Sequence, residues 1–184
     1  MGNNFVKRVW GLRKWKRLTS VVLRRVGISQ LLTIHTGGIK LRFYPAVWNN
    51  ILWENPDAFR ADTDLLFRYL RPGNIVVDLG ANVGLLTLVA AKIVGNAGMV
   101  YSFEPCPKIY GYLKGNTRHN QALNVKIYNV ALGNYDGAAM FSNNAADDGN
   151  HIIFDGAGVK VPVNRLDTFL PEAITVHLLK IDVE

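Results

Sequence analysis

Apolar residues in the second half of the chain fall into short and long runs that alternate. Ile75–Leu79 and Met99–Phe103 are short apolar runs, and Val83–Val94 between them is long enough and apolar enough for a buried helix. This strand-helix-strand order then continues. Lys108–Asn120 sets Ile109, Tyr112 and Leu113 on one helical face despite Gly111 and Gly115, Val125–Val130 reads as a third strand, and His177–Val183 as a last one. Gly133–Ser142 and Val159–Val163 read as extended excursions joined by an Asn/Asp/Gly-rich loop at 143–150, and Arg165–Leu170 as a short helical turn. Strands separated by helices imply an α/β fold with a parallel sheet and right-handed crossovers.

Upstream the pattern changes. Gly37-Gly38 predicts a turn, and Ile39–Val47 an extended stretch that Pro45 confines to an edge. A helix capped by Asp62 or Thr63 should run through Leu70 and end at Pro72-Gly73. Residues 5–26 mix apolar and cationic positions, but a single helix does not separate them: Phe5, Val9 and Leu12 fall opposite Trp15, Leu18 and Val22, with a break around Gly11 to Lys14. The predicted division is a basic N-terminal arm with a short extended or hairpin region, 1–55, and an α/β domain, 56–184.

Composition changes this picture only at the N-terminus. The 184 residues are 49% hydrophobic and 19% charged, as in an ordinary globular domain, and the formal net charge is +7. Residues 1–53 hold ten Lys/Arg and no acid, while the remaining eleven cations face fourteen acids, so the basicity belongs to the arm. That distribution argues against a specific nucleic-acid surface on the domain. Two readings of the arm stay open. It is a solvated or loosely docked leader, or it attaches to an anionic membrane, where clustered Lys/Arg contribute about 1 kcal/mol each and Trp10 and Trp15 sit at the interface. No stretch approaches the roughly 18 apolar residues of a membrane span, and the single cysteine, Cys106, excludes an internal disulfide. A cytoplasmic setting, with or without peripheral membrane contact, is the expectation.

The candidate chemistry sits at the ends of the first two strands. Gly80 and Gly84 follow the first strand, where glycine lets the backbone turn tightly and approach a ligand, and the next helix offers its positive end. They lack the G-x-G-x-x-G spacing of a dinucleotide fingerprint. Asp78 discriminates further. A carboxylate there repels a pyrophosphate and suits a ligand carrying an ammonium and a sulfonium, the charge pattern of S-adenosylmethionine. Glu104, ending the next strand, can accept hydrogen bonds from two ribose hydroxyls. Asp78 as a mere helix cap and Glu104 as a solvated strand end are the alternatives. As a group facing a ligand, Asp78 should be replaceable with little loss of fold.

The runs Val76-Val77-Asp78-Leu79-Gly80-Ala81-Asn82-Val83-Gly84, Tyr101-Ser102-Phe103-Glu104-Pro105, Asn129-Val130-Ala131-Leu132-Gly133, Arg165-Leu166-Asp167 and Leu179-Lys180-Ile181-Asp182-Val183-Glu184 together resemble the FkbM-type methyltransferases, over roughly residues 60–184. The resemblance implies a Rossmann-like class I methyltransferase sheet, with strand order 3-2-1-4 in this chain, and methyl transfer from S-adenosylmethionine, usually to a hydroxyl oxygen of a small molecule or glycan. It also implies that Asp78, Gly80, Ala81, Asn82 and Gly84 surround the methionine part of the cofactor, that Glu104 holds the ribose, that Asn129, Val130 and Ala131 border the adenine, and that Asp182 faces the acceptor. Lys180, Asp182 and Glu184 share one strand face by period two, and Asp182 or Glu184 is the candidate base.

The family's Lys-Ile-Asp-Val-Glu motif continues into further strands, and only four of seven are found here. The expectation is a fragment or a truncated product. A nicotinamide-dependent oxidoreductase and a non-catalytic cofactor-binding module are the rival readings. His35, His119, His151 and His177 lack metal-ligand spacing, so no metal is expected, and Cys106 without an identifiable base reads as packing. No G-x-x-x-x-G-K-S/T loop or G-x-S-x-G elbow occurs.

Overall fold

The structure is a computed structural model and describes residues 15–16, 19–23, 25–142, 151–153 and 158–182. The leader before Trp15, the loop at 143–150, residues 154–157 and the pair Val183–Glu184 lie outside the described residues. The first described strands are β1 (Thr33–Thr36) and β2 (Ile39–Arg42), an antiparallel hairpin turned by Gly37 and Gly38, both at positive φ. Two helices follow, α1 (Val47–Glu54) and α2 (Arg60–Tyr69).

The α/β core then runs β3 (Ile75–Leu79), α3 (Leu85–Val94), β4 (Met99–Phe103), α4 (Pro107–His119) and β5 (Val125–Tyr128), and closes with β10 (Leu178–Ile181). These four strands form one parallel sheet in the order β5-β4-β3-β10, which is 3-2-1-4 when they alone are counted along the chain. Alternation along each strand sorts the two faces. Val76 and Val100 pack with Leu85, Leu88, Val89 and Val94 of α3 and with Leu66 and Leu70, whereas Val77, Leu79, Tyr101 and Phe103 face the opposite side. The chain from Leu166 to Val176 covers that second face, with Phe169 set edge-on to Phe103 at 5.3 Å.

Three expectations are corrected. The extended stretch does not reach Val47: strand β2 ends at Arg42 and residues 47–54 are helical. Neither Asp62 nor Thr63 caps α2, which begins at Arg60, and the Thr63 hydroxyl donates to the Arg60 carbonyl inside the helix. The buried helix starts at Leu85 rather than Val83, because Gly84 occupies the preceding position at φ +92°.

The two excursions are elements of a second sheet. β6 (Ala131–Leu132), β7 (Gly137–Ser142), β8 (Ile152–Ile153) and β9 (Gly158–Asn164) pair in the order β6-β9-β7-β8. Phe141, Val161 and Val163 from this sheet pack with Val83, Cys106 and Ile109, so it leans on the loop before α3. Residues 33–54 are likewise part of the same body. Ile34, Leu41, Phe43 and Leu52 share a core with Val76, Leu85 and Val89, across the position expected to divide arm from domain.

Candidate functional site

The carboxyl ends of β3, β4 and β10 converge on the loop from Gly80 to Gly84. The register sets Lys180, Asp78 and Ser102 side by side on three adjacent strands, beneath the Thr87 hydroxyl of α3. Thr87 donates to Asp78 Oδ2 at 2.6 Å, Lys180 Nζ lies 3.0 Å from Asp78 Oδ1, and Thr87 and Ser102 hydroxyls are 3.0 Å apart. Asp78 is therefore buried, at 2% exposure, and paired. This overturns the expectation that it can be removed with little loss of fold, since its loss would strand the Lys180 ammonium. It is not the cap of α3 either, because no side chain caps that helix.

The loop glycines have structural causes. A side chain on Gly80, at φ +75°, would run into the Asp182 carbonyl where β10 crosses it, and one on Gly84 would meet Leu113 Cδ1 at 2.7 Å. Gly80 and Ala81 N–H groups both donate to the Phe103 carbonyl at 3.0 Å, and Asn82 holds φ +50° with its own Oδ1 accepting from Val83 N–H. Lys180 Nζ donates to the Leu79 and Gly80 carbonyls, at 3.1 and 2.6 Å. The loop is thus tied to both neighbouring strands.

Glu104 faces that loop. Its Oε2 accepts from Asn82 N–H and its Oε1 from Cys106 N–H, each at 2.9 Å. Burial pushes its carboxyl up to about 7. The Cys106 and Asn82 N–H groups oppose that shift, the Asp78 charge adds to it, and Lys180 opposes it. A carboxylate offers about four lone-pair positions, so two remain for further donors. An acid that is 7% exposed at a strand end, with lone pairs beyond those two bonds, has the chemistry to accept from the paired hydroxyls of a ribose.

The other candidate residues divide. Asn129 Nδ2 donates to the Glu104 and Pro105 carbonyls, at 2.8 and 2.9 Å, which fixes the turn after β4, whereas the Val130 and Ala131 side chains are buried in apolar clusters. The Asp182 side chain is 60% exposed, with Oδ2 3.7 Å from Lys180 Nζ, and Glu184 lies outside the described residues. Two contributors were missed from sequence, Lys180 as counter-ion of Asp78 and Thr87 as its donor. The only signal was their polarity within apolar runs. Among the described residues no group of His, Cys, Asp and Glu could hold a metal ion.

A family model described as the methyltransferase FkbM domain matches residues 78–184, more than half of the chain, and begins at Asp78 itself. The chain belongs to the FkbM methyltransferase family. The parallel sheet is that of a Rossmann-like class I methyltransferase, and S-adenosylmethionine is the cofactor of such proteins. A protein-L-isoaspartate O-methyltransferase from Caenorhabditis elegans is 25% identical over 126 residues, 61% of this chain and 56% of its own length. The chain therefore spans about half of that relative. Among solved structures, a putative rRNA-methylase from Clostridium thermocellum is 20% identical over 39% of each chain with a TM-score of 0.37. A SAM-dependent methyltransferase from Aquifex aeolicus is 22% identical over 40% of this FkbM-family chain and 41% of its own, also with a TM-score of 0.37.

Proposed function

We propose that this FkbM-family chain binds S-adenosylmethionine against the 80–84 loop and Glu104, and transfers its methyl group to a hydroxyl oxygen of a small molecule or glycan. The observation that carries the cofactor reading is Glu104, a buried strand-end carboxylate whose Oε2 accepts from the loop N–H of Asn82 and whose Oε1 accepts from Cys106 N–H before α4, each oxygen having a second lone pair that a ligand donor can use. When bound, S-adenosylmethionine supplies an electrophilic methyl on a sulfonium. Asp78, Gly80, Ala81, Asn82 and Gly84 border its methionine part, Glu104 orients its ribose, and the Asn129–Ala131 turn lines the adenine side.

The chain's main contribution is positioning, which is worth roughly 7–11 kcal/mol when geometry is ideal. In this reading the acceptor faces Asp182, whose side chain is exposed, and Asp182 takes the acceptor proton on an Oδ atom, for a further factor of about 10²–10⁴. Replacing Asp182 with Asn should lower turnover with labelled cofactor while leaving cofactor affinity unchanged; turnover within a few-fold of the parent removes Asp182 from the role of base.

The arm supports a peripheral contact with anionic lipid. Trp15, Val22 and Val26 are exposed beside the cations Lys16 and Arg25, and among the described residues no helix is long and apolar enough to cross a membrane. The cytoplasmic face of a membrane fits that surface.

A further inference from the structure

Strand β2 is paired by β1 on one side only, and its other edge would leave backbone groups open. Two asparagines one turn apart on α4 close it. Lys40 N–H donates to Asn120 Oδ1 at 3.0 Å while Asn120 Nδ2 donates back to the Lys40 carbonyl, and Arg42 N–H donates to Asn116 Oδ1 at 2.8 Å. The seam continues with Tyr44 stacked on Tyr112 at 4.4 Å, its hydroxyl seated against Gly115, where a side chain would collide with it.

Asn116 does more than close an edge. It is fully buried, and its Nδ2 donates at 2.7 Å to the Val83 carbonyl, in the loop that Glu104 holds from the other side. Leu113, one turn earlier on the same face, fills the space that Gly84 leaves open. A carboxamide alone serves both partners, because Arg42 presents a donor and Val83 an acceptor. An aspartate would keep the first bond and oppose the second.

We propose that Asn116 is a positioning residue that ties the cofactor loop to the N-terminal hairpin, so that residues 33–44, outside the span matched by the family model, help to shape the cofactor site. This rests on the reading that the 80–84 loop borders S-adenosylmethionine. Asn120 makes the same kind of seam bond without touching the loop, which supplies an internal comparison.

The test uses the whole chain with Asn116→Asp, Asn120→Ala and Gly115→Ala, the last wedging the seam open while leaving Asn116 in place. Amide hydrogen exchange at Asn82–Gly84 is read without ligand, and S-adenosylhomocysteine affinity by calorimetry. Asn116→Asp should speed that exchange and weaken binding by about tenfold or more, Gly115→Ala should shift both the same way, and Asn120→Ala should leave both within about twofold. If Asn116→Asp fails to fold, Gly115→Ala decides by the same readings. Unchanged exchange at 82–84, an equal effect from Asn120→Ala, or a loosened loop with unchanged affinity overturns the proposal. A parent protein that does not bind S-adenosylhomocysteine defeats the cofactor reading instead, and exchange still decides the tie between Asn116 and the loop.

Discussion

Lys180 Nζ lies 3.0 Å from the Asp78 carboxylate, and the two residues face each other in register on adjacent parallel strands. The same ammonium reaches the Leu79 and Gly80 carbonyls, so one side chain pins β10, β3 and the start of the loop together. Removing either partner leaves a poorly solvated charge. Asp78→Ala should therefore cost about 3 kcal/mol in chemical denaturation, and pairing it with Lys180→Met should recover part of that loss. Stability within about 0.5 kcal/mol of the parent would show that the pair is solvent-relaxed.

Glu104 predicts a pH signature. Its carboxyl is raised from 4.5 to about 7 in the folded chain, so the folded state holds its proton more tightly than the unfolded state. The stability this contributes is present below about pH 4.5 and is lost as pH rises through about 7. Glu104→Gln sets an amide NH2 against one of the two backbone donors and so should lower stability overall, but it should abolish the parent's fall between pH 5 and 8, which thermal melts across that range would show. Ligand hydroxyls favour the charged acceptor, so S-adenosylhomocysteine affinity should rise with pH through about 7 in the parent and stay flat in the variant.

The parallel core was legible because both faces of its strands are apolar. The predicted Ile75–Leu79 and Met99–Phe103 are β3 and β4 residue for residue, and Lys108–Asn120 is displaced by one position from α4, whose first residue is Pro107. Pairing between distant segments was not legible. Lys180 and Asp78 are 102 positions apart, and nothing local marks one as the counter-ion of the other. The pairing of the second sheet escaped for the same reason, since β7 and β9 are separated in sequence by the polar stretch at 143–150 and β9 pairs with β6 and β7, neither of them its neighbour along the chain. Helix α1 was missed because Pro45 and the alternation of apolar and cationic residues over Ile39–Phe43 favoured an extended reading, whereas the strand ends at Arg42, three positions before Pro45.

The basic leader, residues 1–27, should act independently of the cofactor site. Deleting residues 1–27 should leave cofactor affinity unchanged and reduce partition onto anionic vesicles, with a difference that shrinks as salt is added. Equal vesicle binding with and without the arm would discard the membrane contact.

Among the described residues strand β10 pairs only with β3, and its Leu179 and Ile181 side chains are 47% and 63% exposed. An apolar edge strand is a template for another chain. The 184-residue polypeptide should associate with rising concentration in light scattering, and Ile181→Lys should suppress that association. A monomer at every concentration would show that this edge is already protected.

Calorimetric titration decides whether the ends of β3 and β4 hold S-adenosylmethionine. S-adenosylmethionine and S-adenosylhomocysteine should bind the whole chain, nicotinamide dinucleotides should not, and Glu104→Gln should weaken binding by about 1–3 kcal/mol. Preference for a dinucleotide, or equal affinity in parent and variant, would contradict the account.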